Sequence, residues 1–217
     1  MIGFFKRKKG DINSISIPNL GWEQKKNDDK IIQWTNPEGN IVLSINYFDS
    51  KPDLPSLKQI NTVRHFYREQ IVEHEGGLIE VNLSKCKDHK AIRTIFKIPL
   101  KTSGVIYLAS LTIPFRYSSY VIKIQASETG VTGIRDSVVS NRLLNRGEIT
   151  VGENGFIDWD YDPYHSTFNE GTLMNKSEEI KYDADFKNHP LSIARKLLSQ
   201  IENGIVFKPE IEKLRKL

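Results

Sequence analysis

Residues 79–98 read Ile79-Glu80-Val81-Asn82-Leu83-Ser84-Lys85-Cys86-Lys87-Asp88-His89-Lys90-Ala91-Ile92-Arg93-Thr94-Ile95-Phe96-Lys97-Ile98. Ile79, Val81 and Leu83 alternate with polar neighbours. A charged turn runs from Lys85 to Lys90. Ile92, Thr94, Phe96 and Ile98 then alternate again. A period of two on each limb marks half-buried strands. A connection this short joins antiparallel neighbours, because a parallel crossover needs a dozen residues or more.

The pattern continues on both sides. After Ser103-Gly104, Val105 to Phe115 reads as a longer apolar strand and Tyr120 to Ala126 as another, which makes a four-strand meander. Upstream, Ile41, Leu43, Ile45 and Tyr47 alternate. The turn Asn36-Pro37-Glu38-Gly39-Asn40 joins them to a short strand at Ile31-Ile32-Gln33-Trp34. Between these groups, Ser56-Leu57-Lys58-Gln59 has the form of a capping box. Leu57, Ile60, Val63, Tyr67 and Ile71 then keep helical spacing as far as Gly76-Gly77, predicting a helix over 56–75.

A second helix is expected from about Thr132 to Leu144, with Ile134, Val138 and Leu143 toward the core and Gly147 as its stop. Residues 10–30 are polar and turn-rich. Residues 148–189 are rich in Asp, Asn, Glu and Tyr and show little periodicity. Pro190 opens a helix whose stripe is Leu191, Ala194, Leu198 and Ile201, and Pro209 opens a short last one. The expectation is an α+β fold, a twisted antiparallel sheet with helices packed on it. It comprises a basic N-terminal tail (1–10), a sheet domain (11–147) and an ordered C-terminal extension (148–217) packed on that domain.

The order strand-strand-helix-four strands-helix over roughly 30–145 resembles the Mog1/PsbP-like architecture. The resemblance implies mostly non-enzymatic binding proteins: small-GTPase release factors, photosystem accessory subunits and bacterial chaperones of secreted effectors. It brings no catalytic residues, and fold alone does not give function. The tail carries Trp159-Asp160-Tyr161-Asp162-Pro163-Tyr164, then Tyr182-Asp183, Phe186, His189-Pro190-Leu191-Ser192 and Arg195. That order is similar to the C-terminal pattern of a group of bacterial proteins with no assigned activity.

Composition sets the outer bounds. The chain has 217 residues, with 31 Lys and Arg against 27 Asp and Glu. Lys6, Arg7, Lys8 and Lys9 account for the whole excess of four, and the rest is formally neutral. Nucleic-acid binding is not expected, since it needs clustered cations. The lone Cys86 excludes an intramolecular disulfide and a Cys-based zinc site. No run reaches the roughly 18 apolar residues of a spanning helix, so no stable membrane insertion is expected.

Met1-Ile2-Gly3-Phe4-Phe5 precedes the basic run, the reverse of a secretory signal, and Ile2 rules out N-myristoylation. Two readings of this start are a weak anchor on anionic lipid and a solvated terminus. The second is favoured, because five residues are too few for a stable amphipathic helix. The lack of an export signal and the single cysteine point to the cytoplasm.

Several constellations bear on chemistry. Asp158, Asp160 and Asp162 alternate like the first ligands of a calcium loop, but Pro163 and Asn169 stand where that loop needs Gly and Glu. No metal is expected there, and alternation instead sends Trp159 and Tyr161 toward the core. His189, before Pro190, reads as a residue at a helix N-terminus. Cys86 lies beside Lys85, Lys87 and His89. The lysines would lower its pKa, but a charged turn makes a poor pocket. Gly130-Val131-Thr132-Gly133 lacks the Lys of a phosphate loop, and no dinucleotide fingerprint occurs, so no cofactor is expected.

The preferred reading is therefore a non-enzymatic cytoplasmic protein-binding factor of a bacterium: accessory, immunity-like or chaperone-like. Its contact residues would be Trp159, Tyr161, Tyr164 and Phe168, because aromatics dominate interface hot spots. The alternative is a metal-dependent or carboxylate/His hydrolase using Asp160, Asp162, His165, Asp183 and His189.

Overall fold

The computed structural model describes residues 10–217. The basic tail, apart from Gly10, lies outside the described residues. In chain order the elements are a 3-10 turn at Ile12–Ser14, β1 (Ile15–Ser16), β2 (Glu23–Asn27), β3 (Ile31–Thr35), β4 (Ile41–Phe48), α1 (Ile60–Val72), β5 (Gly77–Cys86), β6 (His89–Pro99), β7 (Val105–Pro114) and β8 (Ser119–Ser127). Then follow α2 (Ile134–Asn145), β9 (Thr150–Gly152), β10 (Gly155–Ile157), β11 (Asp160–Tyr161), β12 (Met174–Asn175), 3-10 turns at Lys176–Glu178 and Ile180–Tyr182, α3 (Pro190–Gly204), β13 (Val206–Phe207) and α4 (Pro209–Glu212).

Seven strands form one antiparallel sheet in the order β2-β3-β4-β8-β7-β6-β5. The expected α+β class, with helices on an antiparallel sheet, is what the chain forms. Strict alternation gives the sheet two unlike faces. On one, Leu43, Ile45, Leu111, Ile122 and Ile124 meet Leu191, Ala194, Leu198 and Ile201 of α3. Each such Leu or Ile contributes about 1.5–3 kcal/mol when buried. On the other, Val63 and Ile71 of α1 lie against Leu78, Val81, Ile92 and Phe96. A smaller third cluster joins Val139 and Leu143 of α2 to Ile149, Trp159 and Tyr182.

The main core also takes in Ile12 and Ile15 from the start of the described chain and Ile205 and Ile211 from its end. β1 and β13 pair with each other, Ile15 opposite Phe207.

Several local details depart from the expectation. The first helix begins at Ile60, not Ser56. The Ser56 hydroxyl accepts from the Lys58 amide at 3.4 Å and makes a turn instead of a cap. The helix ends as Glu75 takes φ 57° and the Gly76 amide closes on the Ile71 carbonyl. Gly77 meets a further requirement: a Cβ on it would collide with the Thr172 carbonyl oxygen.

In α2 the core contacts are Val139 and Leu143, while Ile134 and Val138 face outward. Glu23–Asn27, read as turn, is an edge strand. It is exposed throughout and therefore shows no apolar alternation. The Lys85–Lys90 turn shrinks to Lys87-Asp88, with Cys86 and His89 paired across the strands. A bulge between Leu78 and Glu80 lets Ile79 face the α3 side and Val81 the α1 side.

Candidate binding surface

The segment from Asp158 to Asn175 leaves α2, crosses to α1 and returns, closed by the short β11–β12 pair. Asp158 takes φ 63°, a left-handed conformation that breaks the extended ladder of the three aspartates. Trp159 is only 8% exposed and fills the α2 cluster. Asp160 is exposed, and loss of water around its carboxyl raises its pKa. Lys97 opposes this, while Glu178 and Asp136 add to it.

Tyr161 packs against the main core and donates its hydroxyl to Glu179 Oε1 at 3.2 Å. Asp162 is buried and takes Arg68 Nε and Nη2 at 2.6 and 2.7 Å. Tyr164 lies under the Arg64 guanidinium, 3.8 Å from its ring centre, and its hydroxyl accepts the Val81 amide of edge strand β5 at 2.9 Å. Phe168 lies near Arg68 and His165. The four aromatics thus do not share one exposed patch: Trp159 is spent on α2, Tyr161 on the α3 side, and Tyr164 and Phe168 on α1.

The five residues of the hydrolase reading separate as well. Asp162 is held by Arg68. His165 is exposed and faces Thr167 at 3.3 Å. Asp183 Oδ1 accepts from Arg135, Arg195 and Ser192 at 3.0, 2.9 and 3.0 Å. His189 caps α3: its Nδ1 accepts the Leu191 amide and its Nε2 faces Glu128 Oε1, both at 3.3 Å. Both ring nitrogens are committed, so neither can take a substrate proton. Burial opposes the charge on Glu128, but His189 and the Gly133 and Val105 amides outweigh it and hold the carboxyl below its usual range. Among the described residues no group of three His, Cys, Asp or Glu is placed to hold a metal.

Cys86 is a correction. Burial, with Glu202 adding, pushes its thiol up to about 12, so the lysines beside it in sequence do not set its pKa. His65 on α1 and His74 in the turn after it are exposed.

A buried polar junction escaped the sequence reading. Glu178 accepts Lys97 Nζ and the Asn175 amide at 2.8 Å and the Tyr107 hydroxyl at 3.1 Å. Arg135, fully buried, donates to the Ser177 carbonyl, Ser192 Oγ, the Glu179 carbonyl and Asp183. Arg195 adds the Glu178 carbonyl at 2.7 Å. Tyr182, Asp183, His189, Ser192 and Arg195 all stand in or beside this junction. The one available signal was their close succession in the tail.

The outer surface carries the unspent apolar side chains. In the β9–β10 hairpin, Val151 is 73% and Ile157 54% exposed, and Val151 stands opposite Phe156. Phe156 meets Trp159 edge-on at 5.9 Å. Between α2 and residues 184–190 lies a cleft of about 630 Å³ with exposed Val131 and Ile134 on its wall.

No family model matches the chain, and no curated protein does. Solved structures similar to it include the Ran-binding protein Mog1p of Saccharomyces cerevisiae, at 12% identity and TM-score 0.42, covering 59% of this chain and 78% of that one. A point mutant of protein Mog1 gives 11% identity and TM-score 0.45, covering 91% and 93%. Cyanobacterial PsbP (CyanoP) from Synechocystis sp. PCC 6803 gives 11% and 0.39, covering 62% and 84%. Overlap at this level carries no inference about ligand, partner or activity.

Proposed function

We propose that the chain is a non-enzymatic, cytoplasmic, bacterial factor that binds another protein, in an accessory, immunity-like or chaperone-like role. One observation carries the reading. Among the described residues Asp162, Asp183 and His189 are engaged by Arg68, Arg135, Arg195 and Glu128, while Val151, Phe156 and Ile157 are exposed on a hairpin that pairs with no other described strand. Phe156 rests on the buried Trp159 and so is presented from a rigid base. Aromatic and aliphatic anchors on rigid supports are the usual carriers of interface energy. Trp159 supports this surface from beneath, Tyr161 lies apart on the main core, and Tyr164 and Phe168 form a second half-exposed patch over α1.

A photoreactive phenylalanine analogue at position 156 tests it in the native host. The expected result is one discrete adduct that Val151→Asp/Ile157→Asp abolishes while the fold persists by circular dichroism. An absent adduct, or one unaffected by the double substitution, overturns the reading.

A further inference from the structure

A groove of about 290 Å³ opens between the sheet and the segment that joins β1 to β2. The sheet contributes Trp34 of β3 and Leu43, its direct neighbour on β4. The segment contributes Ile17, Pro18, Leu20 and Trp22. Leu43 belongs to the main core, and Ile17, Leu20, Trp22 and Trp34 pack against it half-buried. The segment is held in place at both ends of the groove wall. A Cβ on Gly204, the last residue of α3, would lie 2.5 Å from Pro18 Cγ, so the segment rests directly on the helix end. Asn19 Oδ1 accepts the Gly21 amide at 2.9 Å, in a turn where Gly21 takes φ 70°.

The groove holds donors without acceptors. Among the described residues the indole N–H of Trp22, that of Trp34 and the side-chain amide N–H of Asn19 make no hydrogen bond, and neither indole nitrogen is shut away from solvent. An indole nitrogen can only donate, and Asn19 Oδ1 is already taken. No charged side chain lines the groove. The charges nearest in sequence cancel locally: Glu23 pairs with Lys25 at 2.5 Å, Lys26 pairs with Asp28 at 3.1 Å, and Asp29 adjoins Lys30. What the groove offers is flat aromatic surface, side-chain donors and no net field.

Its size and chemistry select the occupant. Sites that enclose a small molecule run from roughly 300 to 1,000 Å³. This groove stands at the lower limit, so it suits side chains of a segment whose backbone stays outside. Three backbone forms commonly dock in this way. A helix bonds its carbonyls internally and would leave the indole donors unmet. A strand would add to the free edge β2, but Lys25, Lys26 and the bulge between Gln24 and Lys26 blunt that edge. A polyproline II segment has no internal hydrogen bonds, so its carbonyls are free, and its prolines carry no N–H. The complementarity is electrostatic: donors and indole faces on this chain meet carbonyls and donor-free rings on the partner.

We infer that this groove docks a proline-rich segment of a partner protein in the polyproline II form. Proline rings lie on Trp22 and Trp34, and the carbonyls beside them accept the two indole N–H groups and the Asn19 amide. The site is separate from the surface of Val151, Phe156 and Ile157, and neither proposal depends on the other.

Nuclear magnetic resonance of the indole N–H groups in the full chain tests this, with decaproline as the probe and a glycine-serine peptide of equal length as the control. Trp159, buried against α2, serves as the internal reference. The expected result is a saturable shift of the Trp22 and Trp34 resonances with decaproline only, while Trp159 stays in place. Trp22→Phe keeps a ring and loses its donor, and should weaken binding about fivefold, the factor of one ordinary hydrogen bond. Asn19→Asp, at an exposed position, keeps the acceptor for Gly21 but sets a carboxylate against the peptide carbonyls, and should weaken binding at least as much. No shift of Trp22 or Trp34 at millimolar decaproline, equal shifts with the control peptide, a larger shift at Trp159, or a folded variant that binds like wild type overturns the inference.

Discussion

Arg68 on α1 and Asp162 in the tail form a two-pronged ion pair, Nε to Oδ2 at 2.6 Å and Nη2 to Oδ1 at 2.7 Å. Both side chains are buried. The pair fastens the 158–175 segment to the face of the molecule opposite α3.

Removing one partner strands the other charge. Asp162→Ala should cost about 3–5 kcal/mol in urea unfolding, and Arg68→Met combined with Asp162→Leu much less, because a buried pair is worth little over an apolar one. Asp160→Ala, at an exposed carboxylate, should cost under about 0.5 kcal/mol. Calcium should leave the melting temperature unchanged, since Asp162 is already taken by Arg68.

Acid should loosen the C-terminal end. His89 is buried between Phe115 and Phe207, at ring distances of 5.3 and 4.7 Å. Burial first, then Lys216, lowers its pKa below 6.5, against Asp88 and Glu212. The folded state therefore binds the proton less readily than the unfolded chain. The contribution is complete above the unfolded value and is lost as pH falls through it toward the folded one. Protection factors of residues 206–217 in hydrogen exchange, corrected for the intrinsic pH dependence of exchange, should fall between neutral pH and pH about 5, and His89→Phe should flatten that dependence.

Cys86 should be silent in the native protein. It is fully buried, and its thiol is pushed up to about 12. With one cysteine in the chain, a disulfide reagent reads a single site. Labelling at neutral pH should follow global unfolding; a fast native-state reaction would contradict the packing of the β5–β6 end.

The Lys85–Lys90 pair sets two like charges face to face in the β5–β6 ladder. Lys90→Glu turns a facing repulsion into an attraction and should stabilise the fold by about 0.5 kcal/mol. Thermal melts of the variant check this.

The meander was legible because Ile92, Thr94, Phe96 and Ile98 repeat with the period of the pleat. β2 was not, because Glu23 to Asn27 lie wholly in water and leave no apolar trace. The capping box at Ser56 misled because hydroxyl-to-amide turns and helix caps share the same residues. The pairing of Asp162, Asp183 and Glu178 with Arg68, Arg135 and Lys97 joins residues distant in sequence, which no local spacing reveals.

The helix that covers the main sheet face is synthesised after the sheet. Between Ser127, the end of β8, and Gly204, the end of α3, a ribosome adds 77 residues, which takes about 4–15 s at ordinary elongation rates. During that interval Leu43, Leu111, Ile122 and Ile124 have no lid, and Ile15 waits for Phe207. The nascent chain therefore passes through a stage in which one broad apolar wall faces solvent or a holding factor. Truncations upstream of Leu191 should stall there, sticky and protease-sensitive, in place of a smaller folded protein.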